Sequence, residues 1–90
     1  KFTWTRTVAP GGRIKEVLVE ENGAWVPIDP EKVYGVVSNN FMRAGGDGYQ
    51  VFTTAMNAYD FGPGLEAVVA DYLAQSNGYQ PYTDGRVKEE

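Results

Sequence analysis

The chain has 90 residues, 42% of them hydrophobic and 22% charged, a size that allows one small domain. It contains no cysteine and no histidine, which excludes disulfides, thiolate chemistry and the commonest general base and metal ligand. Eight basic and twelve acidic residues give a net charge of −4, so a nucleic-acid polymer is not an expected partner. No apolar run approaches the roughly 18 residues of a membrane span.

The first third of the chain predicts a meander of three antiparallel strands. Residues 2–8 and 13–21 alternate bulky and polar side chains in β-favouring residue types. Asn22-Gly23 is the strongest short-range signal for a hairpin, and it leads into a third strand over residues 24–28.

The remaining elements combine one helix with further strands. Asp29 as a capping residue before Pro30 predicts a single helical turn, and residues 33–38 then predict a buried strand. Residues 64–76 predict the one main helix, because their apolar side chains recur at helical spacing. These apolar residues are Leu65, Val68, Val69, Tyr72 and Leu73. A short final strand is predicted over residues 84–88, and the whole predicts an α+β fold.

One helix cannot cover both faces of a sheet of about six strands, so the sheet either packs against itself as half of a sandwich or loses a layer that residues upstream supply. We favour the second alternative. The first strand, Lys1 to Val8, would then have an exposed edge, through which we expect it to pair with a second copy in a homodimer. Aromatic side chains on the predicted strands and helix are assigned to the core. They are Trp4, Trp25, Tyr34, Tyr49, Phe52 and Tyr72.

Residues 39–49 form the most unusual segment, because three glycines surround one carboxylate there. The segment lacks the Gly-Lys-Ser/Thr ending of a phosphate-binding loop and has no G-x-G-x-x-G that opens a helix. Asp47-Gly48 lies between the predicted strand over 33–38 and residues 49–52, which resume strand character. It is typical of a type I′ hairpin turn, and glycines in such a turn need no ligand.

A second interpretation of the same segment is a binding site. Gly45 and Gly46 would let the backbone approach a flat ligand closely. Phe41 offers a face for stacking, and Asp47 accepts hydrogen bonds from vicinal hydroxyls. This combination suits a ligand made of a sugar and a base.

Catalytic residues are not expected in this chain. Neither Ser38 nor Ser76 lies in a G-x-S-x-G elbow or a Ser-x-x-Lys pair. The acidic residues fall on turns or solvent-facing positions, and no D-x-D-x-D-G pattern organises them around a metal ion.

Residues 33–49 resemble the signature of the C-terminal, substrate-binding domain of the 5′-nucleotidases. The block N-x-F-x-x-x-G-G-D-G-Y runs from Asn39 to Tyr49, after Asp-Pro-x-Lys-x-Tyr over 29–34 and before Asp-Gly-Arg-Val over 84–87. The resemblance covers essentially all ninety residues. It implies that residues 1–90 are a single partial domain, truncated at its N-terminal side.

The resemblance also implies roles for single residues. Phe41 matches the phenylalanine that forms one side of an aromatic clamp on the nucleobase, and Asp47 matches the aspartate that hydrogen-bonds the ribose hydroxyls. Gly45, Gly46 and Gly48 would shape the loop. Arg43, like Met42, departs from the small or apolar residues common there, and we expect its side chain to be solvated.

The implied function is recognition of the base and ribose in an enzyme that hydrolyses nucleoside phosphates to nucleoside and phosphate. Catalysis would belong to an N-terminal metallophosphoesterase domain with a pair of divalent metal ions such as zinc or manganese, and this chain alone would hydrolyse nothing. The resemblance implies a periplasmic or extracellular location. The alternative is a small β-rich interaction module, in which the Gly-Gly-Asp-Gly segment is only a turn.

Overall fold

The structure, a computed structural model, describes all 90 residues, which divide into two compact units. Residues Lys1–Val33 and Pro81–Glu90 form the first, here called the sheet unit, and Tyr34–Gln80 form the second, the helical unit. A four-stranded mixed sheet and one main helix make this an α+β fold, which confirms the predicted class.

The sheet unit contains four strands: β1 (Phe2–Trp4), β2 (Ile14–Glu21), β3 (Ala24–Pro27) and β4 (Val87–Glu89). Their order across the sheet is β3-β2-β1-β4. The pairs β1–β2 and β2–β3 are antiparallel, as predicted, whereas β1 and β4 are parallel. The predicted meander is therefore confirmed, the expected number of about six strands is wrong, and the parallel β1–β4 pair adds to the antiparallel strands that the sequence predicts.

The β2–β3 hairpin follows from its turn residues. Asn22 has φ 51° and Gly23 has φ 80°, and Glu21 pairs directly with Ala24. A two-residue turn with both φ values positive matches the twist of the flanking strands, and asparagine and glycine tolerate that backbone best. The Asn22-Gly23 signal is confirmed.

Strand β1 lies inside the sheet, so the exposed edge predicted for it is wrong. On one side Leu18 donates its backbone N–H to Lys1 at 2.8 Å, and on the other Phe2 donates to Arg86 at 2.7 Å. The β4 side is completed by a backbone hydrogen bond of 2.8 Å from Glu90 to Trp4. A homodimer formed through an unpaired β1 edge has no basis in this arrangement.

A tight turn leads into β4 and shortens the predicted strand over 84–88. The Asp84 carboxylate accepts a 3.1 Å hydrogen bond from the Arg86 backbone and pairs with its guanidinium at 2.6 Å, across Gly85 at φ 73°. The hydrogen bond from the Arg86 side chain, and to a smaller extent the one from its backbone N–H, holds the pKa of Asp84 below its usual value. The contribution of this contact to stability is present above the ordinary aspartate pKa and is lost as the pH falls through the lowered one.

Residues 29–38 contain neither the helical turn nor the strand that the sequence predicts. Lys32 donates its backbone N–H to the Asp29 carbonyl at 3.1 Å, and Glu31 donates to the Asp29 carboxylate at 2.9 Å, which makes a hydrogen-bonded turn. Residues 33–38 have no regular structure, and Val37 is 98% exposed. Valine favours a strand only where a neighbouring strand and a packed face are available, and neither is present here.

The helical unit contains α1 (Asn40–Arg43), two 3₁₀ turns (Gly46–Gly48 and Gln50–Thr54) and α2 (Leu65–Gln75). The predicted helix over 64–76 is confirmed. The strand character expected from residue 49 onward is wrong, because the chain forms the second 3₁₀ turn there.

Helix α2 begins and ends where its sequence predicts. Glu66 lies in the first turn, where a negative charge interacts favourably with the helix N-terminus. At the other end, the Ser76 hydroxyl donates to the Tyr72 carbonyl at 2.8 Å, and the backbone then turns left-handed at Asn77 and Gly78. This helix is not long and apolar enough to cross a membrane, and neither is α1.

No hydrophobic side chain is buried in this structure, so the assignment of the aromatic residues to a core is wrong. Trp25 is 41% exposed and Tyr72 is 58% exposed, and the apolar face of α2 is open. The only buried polar residue is Thr5. Three of the four strands have only three or four residues, which place too few side chains on each face to enclose a core.

Replacement of Gly23 by alanine should lower the free energy of unfolding by about 1 kcal/mol, because a Cβ is strained at φ 80°. Gly35→Ala is the matched control, since Gly35 has no positive φ and open space around it. Chemical denaturation of both variants measures the difference. Equal loss of stability in the two variants would contradict the turn assignment.

Candidate functional site

Asn39 starts α1 and thereby places Phe41. The Asn39 side-chain oxygen accepts a 2.8 Å hydrogen bond from the backbone N–H of Met42, which satisfies an otherwise unpaired donor in the first turn. Gly45 then ends the helix with φ 93°, and its N–H donates to the Met42 carbonyl at 2.9 Å. The helix is only one turn long, and its two ends are specified by the Asn39 side chain and by the left-handed backbone of Gly45.

The Phe41 ring lies against Gly46. A Cβ built at Gly46 would be 2.6 Å from Cε1 and Cζ of Phe41 and 2.7 Å from Cδ1, closer than any real contact allows. Phe41 is nevertheless 56% exposed. Glycine at position 46 therefore lets the ring pack against backbone on one side while the rest of it faces solvent.

The space beside Gly45 is filled by Gln50. The Gln50 side-chain amide donates to the Gly45 carbonyl at 3.2 Å, and a Cβ at Gly45 would be 2.8 Å from the same nitrogen. The room left by these two glycines is thus occupied by the chain's own side chains, Gln50 and Phe41. Gly45 and Gly46 therefore shape the segment by letting Gln50 and Phe41 pack against the backbone.

Asp47 adopts left-handed backbone angles, φ 53° and ψ 27°, and Gly48 follows with φ 82°. These values resemble a type I′ turn, but α1 and the 3₁₀ turns surround them, so the predicted hairpin between two strands is wrong. The exposed Asp47 carboxylate makes no hydrogen bond or ion pair with the chain. All its acceptor positions are available to a ligand.

Arg43 is not solvated as expected. Its Nη1 donates to the Phe52 carbonyl at 2.8 Å, and its Nε lies 3.1 Å from the Asp60 carboxylate. The side chain is only 29% exposed, and Nε is shielded from solvent without making a hydrogen bond. The contact with Asp60 is therefore an ion pair whose geometry is not that of a hydrogen bond.

Four aromatic residues follow the glycines and form two pairs. The rings of Tyr49 and Phe52 are stacked at 5.7 Å between centroids, and those of Tyr59 and Phe61 meet edge to face at 5.8 Å. Asp60 lies between Tyr59 and Phe61 in the sequence, so the Arg43 ion pair ties this second pair to α1.

The structure thus groups the predicted site residues in one segment of the helical unit. Phe41 and Gly46 are in direct contact, Gly45 contacts Gln50, and the Asp47 side chain makes no hydrogen bond or ion pair with any of them. Arg43 and Asp60 were not predicted to take part. No spacing pattern links them, because one partner of Arg43 is a backbone carbonyl and the other lies beyond the second 3₁₀ turn.

The acidic residues do not converge on a metal site. No group of three or more carboxylates is close enough to hold a metal ion. The residues present therefore do not fit the pair of divalent ions that the resemblance implies for the parent protein, and no metal-dependent step is assigned to this chain.

Comparison with known proteins identifies the class of domain. The model of the family "5′-nucleotidase, C-terminal domain" matches residues 1–54, which include α1 and both 3₁₀ turns. The chain belongs to this family.

Curated relatives agree with the assignment. The chain is 40% identical over 91 residues to a trifunctional nucleotide phosphoesterase protein of Bacillus subtilis, a match over 99% of the chain and 6% of that protein. It is 32% identical to the human 5′-nucleotidase, over 88% of the chain and 14% of that protein. The same identity is found with a snake venom 5′-nucleotidase of Macrovipera lebetinus, over 97% of the chain and 22% of that protein. The chain therefore spans less than a quarter of the length of each of these relatives.

Gly46→Ala should lower the free energy of unfolding by about 1–3 kcal/mol, because the new Cβ overlaps the Phe41 ring and forces it to move. The matched control is Gly62→Ala in the same unit, where no atom lies within 4 Å and φ is not positive. Denaturant unfolding of the two variants checks the prediction. If both variants are as stable as the unsubstituted protein, the contact between Phe41 and Gly46 is wrongly described.

Proposed function

We propose that the helical unit recognises the nucleoside part of a nucleoside phosphate, which the protein carrying this chain hydrolyses to nucleoside and phosphate. The observation that carries this proposal is that one segment presents both an exposed Phe41 ring, backed by Gly46, and an exposed Asp47 carboxylate with no partner in the chain. Membership of the 5′-nucleotidase C-terminal domain family supports it.

Phe41 suits the base because its ring is held on one side only. The Asn39 cap fixes the helical turn that carries Phe41, and the Gly46 backbone supports the ring. A base that stacks on the free part gains about 1–3 kcal/mol, whatever its hydrogen-bonding pattern. Phe41 thus supplies affinity, with little discrimination between bases.

Asp47 suits the ribose because an ionised carboxylate only accepts hydrogen bonds and has two oxygens. Vicinal hydroxyls offer two donors at matching separation. The left-handed backbone at Asp47 leaves the carboxylate exposed, and no basic side chain of the chain competes for it. Gly45, Gly46 and Gly48 shape the segment that carries both groups.

The hydrolytic chemistry is proposed to lie elsewhere in the protein, on an N-terminal metallophosphoesterase domain with two divalent metal ions. This proposal is consistent with the small share of the relatives that the chain spans. We also propose a periplasmic or extracellular location, since some relatives are named as snake venom proteins.

Phe41→Ala should raise KM for AMP roughly 5- to 100-fold in the full-length protein and change kcat far less. The base is proposed to stack on the ring about equally in the bound substrate and in the transition state, so the loss appears mainly in KM. Steady-state kinetics measures both constants. Phe61→Ala is the matched control, because Phe61 is an exposed phenylalanine of the same unit whose ring pairs with that of Tyr59. An unchanged KM in a folded Phe41→Ala protein would contradict base stacking.

Asp47→Asn should raise KM for AMP about 5- to 30-fold, because hydrogen bonds to a charged acceptor are the stronger ones. The penalty should disappear with 2′,3′-dideoxy-AMP, which lacks both hydroxyls. Stability should stay within about 0.5 kcal/mol, since the carboxylate has no partner in the chain and asparagine tolerates left-handed angles. If Asp47 were only a turn residue, the substitution would leave the ratio of the two KM values unchanged.

A further inference from the structure

The Arg43 side chain joins three separate parts of the helical unit. It starts from the last residue of α1, donates to the carbonyl of Phe52 in the second 3₁₀ turn, and pairs with Asp60 in the following segment. Of the charged side chains in this unit, Arg43 alone makes polar contacts with two other segments.

Helix α1 needs such an external contact. An isolated helical turn of four residues is unstable in water, because nucleation fixes several residues for a single hydrogen bond. Phe41 lies on this turn two residues before Arg43. Movement of the turn would carry the Phe41 ring away from Gly46 and from any base stacked on it.

An arginine fits this role better than a lysine. A planar guanidinium directs several N–H groups in fixed directions, so one side chain serves a carbonyl and a carboxylate at once, whereas an ammonium acts as a point charge on a flexible stem. The shielded Nε makes no hydrogen bond and lies 3.1 Å from Asp60, so this carboxylate is the group that offsets its charge. Loss of Asp60 leaves that charge without compensation.

We propose that Arg43 is a positioning residue of the nucleoside site, which holds α1 against Phe52 and Asp60 and so keeps the Phe41 ring in place for the base. This inference rests on the proposed function. Arg43 touches no substrate in this account, and its effect on binding passes through Phe41.

The test compares two substrates of the full-length protein, AMP and ribose 5-phosphate, which lacks the base. Arg43→Met removes both contacts at similar side-chain length and should raise KM for AMP about 3- to 10-fold, a fraction of the effect of a lost stack. KM for ribose 5-phosphate should stay within about 2-fold, because Phe41 has no base to meet. Arg43→Lys should raise KM for AMP less than Arg43→Met does, because lysine keeps the positive charge.

The matched control is Arg13→Met in the sheet unit. Arg13 also donates from its guanidinium to a backbone carbonyl, that of Val8, at 2.8 Å. Arg13→Met should leave the ratio of KM for AMP to KM for ribose 5-phosphate unchanged. A merely structural role of Arg43 would lower the amount of active protein and affect both substrates alike.

The outcomes separate this inference from the proposed function. An unchanged KM ratio in folded Arg43→Met, beside a changed ratio in Phe41→Ala, overturns the role of Arg43 and leaves the site intact. An unchanged ratio in Phe41→Ala overturns the proposed function and the inference with it. If Arg43→Met does not fold, Asp60→Asn decides: a raised KM for AMP alone supports the inference, and an unchanged ratio overturns it.

Discussion

The candidate site depends on a backbone that few residue types can adopt. Gly45, Asp47 and Gly48 all have positive φ within four residues, a conformation that costs an ordinary side chain roughly 1–2 kcal/mol each time. Because of these angles, α1 stops after one turn and the chain folds back so that Gly46 meets the ring of Phe41. The segment that carries the Phe41 ring and the Asp47 carboxylate therefore takes its shape from these backbone angles.

Elements whose signals are local could be predicted from the sequence. The Asn22-Gly23 turn needs only two residues with the right dihedral preference, and α2 needs only the spacing of its apolar side chains. The predicted strand over 33–38 is absent from the structure, because strand formation depends on contacts that are distant in the sequence. Its valines favour a strand, but strand formation needs a partner, and the sequence does not reveal that none is adjacent.

The same division applies to the candidate site. Phe41 and Asp47 were found because their residue types and spacing suit a base and a sugar and because the segment resembles a known family. Arg43 was missed, since its partners are a carbonyl nine residues away and a carboxylate beyond a 3₁₀ turn that had been predicted as a strand. No sequence feature of an arginine in a glycine-rich segment shows whether its side chain holds other segments in place or is solvated.

The pairing of β1 with β4 has a consequence for the order in which the chain folds. Arg6 and Glu89, which form an ion pair alongside these strands, are separated by 83 residues, and the entire helical unit lies between them. During synthesis β2 follows β1 closely, whereas β4, the other neighbour of β1 in this sheet, is made only after the whole helical unit. Parallel pairing over such a separation carries a large loop-closure entropy and is slow, whereas the contacts of the helical unit are local and fast. The segment with Phe41 and Asp47 therefore takes shape before the sheet that flanks it in the sequence is complete.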